Sequence, residues 1–142
     1  METNEINNLL FKECNLNKKE DIFTQKLRNG SFTIIKKSGI EKIISHLKID
    51  LKFKVITSES QFASVLAVAR YNDIKCESFG SAFPKNCTNN YYLEMAEKRS
   101  MSRVVLRITK LSMYGFMGED EVNLGGKINS KEIESKLDGM FV

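Results

Sequence analysis

The sequence predicts an α+β fold, a three-stranded antiparallel meander covered by one long helix (a β-β-β-α core). Three observations predict it. After Asp50 the apolar residues alternate with period two; two further β-rich runs follow, separated by turn residues; and from about Tyr91 the period lengthens to that of a helix. A bare three-stranded meander cannot hide its apolar face, so the helix must lie across it. At 142 residues the chain suits one domain with one core.

The first thirty residues read as a polar helical or loose arm. Two apolar patches, Ile6, Leu9, Leu10 and Ile22, Phe23, Leu27, are interrupted by Asn and Lys, and Asn29-Gly30 is a turn signal. Ser31 to Lys36 (SFTIIK) is β-rich. Ser38-Gly39-Ile40-Glu41 has the form of a capping box opening a helix with Ile40, Ile43, Ile44 and Leu47 on one face. Phe53, Val55 and Thr57 then alternate with Lys52, Lys54 and Ile56, as in a half-buried strand. Phe62 to Tyr71 (FASVLAVARY) is apolar enough for the central strand, Asn72-Asp73 is the turn, and Lys75 to Phe83 is the third strand. Gly80 within it signals a bulge or a close backbone approach. A loop from Pro84 to Asn90 leads to the helix, which Tyr114-Gly115-Phe116-Met117-Gly118 breaks. The remainder contains Gly125-Gly126 and a short helical stretch, Ser130 to Leu137. The expected division is an arm (1–30), an α+β core (31–118) and an acidic tail (119–142).

Charge is unevenly distributed. Residues 119–142 carry −3, from Glu119, Asp120, Glu121, Glu132, Glu134 and Asp138 against three lysines; residues 1–118 carry +7. A basic body points to a polyanionic partner. Cys14, Cys76 and Cys87 are odd in number and irregularly spaced, which suits reduced thiols in a cytoplasm. No basic segment followed by a greasy stretch opens the chain, and no apolar run approaches the roughly 20 residues of a bilayer span, so no membrane partner is expected.

The long helix carries the most information. At about 100° per residue Leu93, Ser100, Val104, Ile108 and Leu111 share one face, and Ala96 and Ser100 are small enough for close approach to the sheet. Arg99, Arg103, Arg107 and Lys110 form an adjoining stripe about 80° wide. Beside a sheet such a stripe can follow a phosphate backbone, or it can simply be solvated and snorkel over the core. Glu97 projects into the apolar arc and needs a partner, Arg70 or a neighbouring arginine, so its reading is structural.

The stretch Tyr92-Leu93-Glu94-Met95-Ala96-Glu97-Lys98-Arg99-Ser100-Met101-Ser102-Arg103-Val104-Val105-Leu106 resembles the helix signature of phage and prophage single-strand annealing recombination proteins, the superfamily of Erf and Red-beta. Its pattern there is small–Glu–x–Arg–small–x–x–Arg followed by aliphatics. Lys37 to Lys42, Gly80-Ser81-Ala82 and Gly118 to Glu121 are similar too, so the likeness spans about residues 36–121. The chain departs from it with serine at position 100, where alanine is usual, and in lacking an extended C-terminal partner-binding region. The resemblance implies single-stranded DNA binding and annealing in recombination and repair, without catalysis. It also implies a homo-oligomeric ring or filament, with host replication or single-strand-binding proteins as further partners. Arg99 and Arg103 match the signature arginines; Arg107 and Lys110 continue the stripe.

On this reading Lys52, Lys54 and Arg70 on the strands share a cleft with the helix cations and contact phosphate. Of the nearby aromatics Tyr71, Phe79, Phe83, Tyr91 and Tyr92, core packing suits Phe79 and Phe83, whereas Tyr91 or Tyr92 is placed to stack on a base. No metal or cofactor is expected. Cys76, Cys87 and His46 lack zinc-site spacing, and no Lys-Ser/Thr follows Gly115 to Gly118 or Gly125-Gly126 as a phosphate loop requires. Two alternatives remain: a protein–protein adaptor with a basic face, and a small metal-dependent nuclease using Glu77, Glu94 and Glu97.

Overall fold

The structure, a computed structural model, describes residues 2–27 and 30–121. Asn29 of the expected Asn29-Gly30 turn, and the expected Ser130 to Leu137 helix with the rest of the acidic tail beyond Glu121, lie outside the described residues. Helix α1 (Thr3–Asn7) runs into a π-helical turn (Asn8–Glu13). Strands β1 (Ile22–Leu27) and β2 (Gly30–Ile35), helix α2 (Lys37–Leu47), strands β3 (Asp50–Glu59), β4 (Phe62–Tyr71) and β5 (Ile74–Ala82), helix α3 (Tyr92–Ile108) and strand β6 (Phe116–Gly118) follow. The fold is mixed α+β, and the expected meander with its long helix is present. No helix of the described residues is long and apolar enough to cross a membrane.

β3, β4 and β5 form an antiparallel sheet in that order. Asn72 and Asp73 join β4 to β5 with φ of 49° and 62°, the paired left-handed conformation of a tight hairpin that short polar side chains tolerate. Ala63, Val65, Ala67 and Ala69 alternate along β4 and are all buried beneath α3. On β5 Ser78, Gly80 and Ala82 share that face and are buried too. A Cβ at Gly80 would collide with the Ala96 carbonyl and the Ser100 amide, so the signal at Gly80 marks the close approach of α3. Ala96 and Ser100 are fully buried at that contact, as their size predicts.

A second sheet forms around the β-rich run from Ser31, which is strand β2, and adds two strands the sequence did not mark, β1 and β6. β1 pairs antiparallel with β2, and β6 pairs parallel with β2, Thr33 opposite Phe116 and Ile35 opposite Gly118. The first residues do not stand apart as an arm: Ile6, Leu10, Cys14 and Leu16 are buried in one core with Ile35, Ile40, Ile43, Val104, Val105 and Ile108. Burial, with the Glu13 charge beside it, pushes the Cys14 thiol up to about 11, which keeps it protonated and inert.

The expected capping box is absent. α2 begins two residues earlier, with Lys36 at its N-cap, and Ser38 Oγ donates instead to Asp21 Oδ1 at 2.6 Å, while Glu41 pairs with Lys37 at 3.7 Å. Asp21, 1% exposed, also accepts from Lys42 Nζ (2.7 Å) and from the Asn17 amide (2.7 Å), and its carbonyl accepts from the Lys36 amide (2.8 Å). It thus bolts the N-terminal segment to the start of α2.

Burial alone would raise the Asp21 carboxyl. The Asn17 amide, Lys42 and Ser38 outweigh it and hold the group below its ordinary 3.8. A carboxyl lowered in the folded state contributes stability that is complete above the unfolded value and disappears as pH falls through the folded one. Asp21→Asn should therefore lower stability by about 2–4 kcal/mol at neutral pH and make the remaining acid destabilisation shallower. Thermal melts of both proteins from about pH 7 down to about pH 2 check this; parallel curves would remove Asp21 from the cause.

Candidate nucleic-acid interface

The arginines of α3 meet the backbone of β5 in a ladder. Arg99 donates to the Ser81 carbonyl (2.7 Å), Arg103 to the Phe79 carbonyl (2.9 Å) and Arg107 to the Glu77 carbonyl (2.7 Å). Four residues of helix rise about 6.0 Å and two residues of strand about 6.6 Å, so every fourth helical position meets every second strand position with a small mismatch. Carbonyls two residues apart point to the same side of a strand. The ladder therefore occupies three carbonyls along the edge of β5 that no strand among the described residues pairs.

The three rungs differ. Arg99 is 3% exposed and also donates to the Asn86 carbonyl. Burial lowers its guanidinium from the ordinary value, against the opposing charge of Asp120. It is inaccessible to a phosphate, so its expected contact role is withdrawn. Arg103 keeps an exposed side chain but is forked by Glu121, which accepts at both oxygens, one at 3.0 Å; this ion pair raises its pKa. Arg107 is exposed and has one further long contact, to Ser78 Oγ at 3.5 Å. Lys110 is exposed just beyond the helix.

Acids of the segment after β6 hold a second helix cation. Lys98 Nζ lies 2.9 Å from Glu119 and 3.3 Å from Asp120, and Glu119 also accepts from the Lys37 amide at 3.0 Å. Burial would raise Glu119; Lys98 and the Lys37 amide outweigh it and lower it. The acidic segment is thus a clasp across α2, α3 and β6.

The strand cations lie elsewhere. Lys52 stands opposite Val68, Lys54 opposite Leu66, and Arg70 opposite Lys75, all on the sheet face turned away from α3. They do not share a cleft with the helix stripe, and Arg70 cannot reach Glu97. The expectation for Glu97 is corrected in the same way: it is exposed on the outer side of α3. The buried residues of α3 on either side of it, Ala96, Arg99 and Ser100, leave Glu97 outside their contact with the sheet.

The open face has its own character. Phe79, 57% exposed, stands opposite half-buried Leu66 on the face that also carries Lys52, Lys54, Arg70 and Lys75. Phe62 and Phe83 stack near one end, with ring centres 6.4 Å apart. At the other end Lys48, Arg70 and Lys75 line a polar hollow of about 310 Å³ at the β4–β5 turn. Glu77 on this face pairs with Lys75 at 3.5 Å. An exposed aromatic ring on the same face as several cations is the combination that single strands use, bases on the rings and phosphates on the ammonium groups.

Sequence reasoning assigned Phe79 to the core and missed Lys75 and Lys48. A signal was present: Ser78, Gly80 and Ala82 are small, as residues beneath a close helix must be, which turns Glu77, Phe79 and Lys75 to the other face. Tyr92 is buried against Ala63, Val65 and Ala96, whereas Tyr91 is 67% exposed at the entry to α3. Glu77 lies on the open face, and Glu94 and Glu97 are exposed on α3, across the sheet from it. Among the described residues no group of three or more His, Cys, Asp or Glu gathers to hold a metal.

Comparison with protein-family models, with curated proteins and with solved structures finds no match.

Arg99→Ala removes two buried hydrogen bonds and should lower stability by about 2–4 kcal/mol while leaving oligonucleotide affinity unchanged. Melting and fluorescence anisotropy on the same preparation check this; lost affinity at unchanged melting temperature would return Arg99 to the interface.

Proposed function

We propose that this chain binds single-stranded nucleic acid, in the manner of DNA strand-annealing proteins, on the open face of the β3–β4–β5 sheet, without catalysis. The observation that carries the reading is the exposed Phe79 ring on the same sheet face as Lys52, Lys54, Arg70 and Lys75, a face that no other element among the described residues covers. The likeness of α3 to the annealing signature supports the same class of ligand, although Arg99, one of its arginines, acts structurally here.

In this account Lys54, Arg70 and Lys52 take phosphates, and Phe79 anchors one base by stacking. Neighbouring bases stay unpaired and free for a complementary strand. Nothing in this arrangement reads base edges, so affinity should depend on salt and little on sequence.

Lys52→Ala combined with Lys54→Ala should weaken oligonucleotide binding and lower the slope of log affinity against log salt by about 1.4, the single-strand value for two phosphates. Phe79→Ala should weaken binding by about 1–3 kcal/mol with the slope unchanged. Anisotropy titrations across a salt series read both, and pairing of two labelled complementary oligonucleotides reads annealing. Full affinity and slope in the triple variant would exclude this face.

A further inference from the structure

We propose that the outer edge of β3 pairs antiparallel with β3 of a second copy of this chain, joining two meanders into one six-stranded sheet. A three-stranded sheet has two edges, and they are treated oppositely here. The arginine ladder occupies the carbonyls along β5. β3 is ten residues long, and α3 stops short of it: Phe53 and Val55 point to the α3 side yet remain 39% and 52% exposed, and Ile56 is 48% exposed. A long edge strand with exposed apolar side chains is a template for another strand, and β5 shows how this molecule closes an edge where pairing is unwanted.

The composition of β3 selects the occupant. Laid antiparallel on itself with Lys52 opposite Glu59 of the second copy, β3 sets Lys54 opposite Thr57, Phe53 opposite Ser58 and Val55 opposite Ile56. The irregularity at Ile56 makes the Lys52–Glu59, Lys54–Thr57 and Phe53–Ser58 pairs agree in facing. Before it Lys52 and Lys54 share the open side with Val68 and Leu66; after it Thr57 and Glu59 share the same side with Ser64 and Phe62. Opposite charges therefore meet twice across the two-fold axis, and the exposed Val55 and Ile56 of each copy lie at its centre. Addition of β3 to β5 of another copy, which would build an open chain, is refused because the β5 carbonyls are taken. Pairing closes at two copies. The two open faces become continuous, with Lys54 of each copy beside the axis.

The test needs no nucleic acid, so its failure is separate from failure of the binding proposal. Sedimentation velocity of the full chain over a concentration series should show a monomer–dimer equilibrium. Glu59→Lys sets like charges opposite each other twice and should raise the dimer dissociation constant at least about tenfold. The charge swap Lys52→Glu with Glu59→Lys should restore it. Melting of each variant verifies that the fold persists, and Val55→Lys, a charge on the same edge, gives a second disruption if Glu59→Lys does not fold. A monomer at every concentration, an open series of larger species, or a dimer indifferent to all of these changes would overturn the proposal.

Discussion

The arrangement of this molecule depends on the registry between α3 and the backbone of β5. Three guanidinium groups, one per helical turn, meet three carbonyls two residues apart on the strand. Gly80 and Ala96 set the distance at which this occurs, since a side chain at position 80 would push the helix off the sheet. The ladder therefore belongs to the fold before it belongs to any ligand. It locks the helix against sliding along the strand, and it occupies three carbonyls of the β5 edge.

Two consequences follow for charge. The helix cations are graded from buried (Arg99) through ion-paired (Arg103) to exposed (Arg107), so the stripe cannot act as one uniform surface. The acidic segment Glu119 to Glu121 completes the grading by holding Lys98 and Arg103. The cations left free of this framework on the strands lie on the opposite side of the sheet, with the exposed aromatic ring. The helix organises the sheet, and the sheet presents the surface.

Much of this was legible in the sequence. The meander and long helix were, because period-two and period-3.6 apolar patterns are local signals that tertiary packing reinforced. Small residues at Gly80, Ala96 and Ser100 announced a close contact, and the Arg99–Arg103–Arg107 stripe was visible as a stripe. Its target was not, because backbone carbonyls carry no letter. β6 was hidden because three residues have no periodicity and pair only once β2 is in place; β1 was hidden by its polar interruptions. Ser38 and Glu41 matched a capping pattern, yet a buried carboxylate at Asp21 was the stronger acceptor for the serine. Sidedness was the main loss: the sequence shows that Lys52, Lys54 and Arg70 alternate with apolar residues, but not that α3 covers only the faces of β4 and β5.

On the proposed reading, the sheet face turned away from α3, and not the helix stripe, receives the strand. Photo-crosslinking with an oligonucleotide carrying 5-bromouracil, followed by mass spectrometry of the tryptic peptides, tests it most directly. Crosslinks at Phe79 and in the β3 peptide around Lys52 and Lys54 are predicted. Crosslinks confined to the outer surface of α3, with the sheet peptides unmodified, would contradict it.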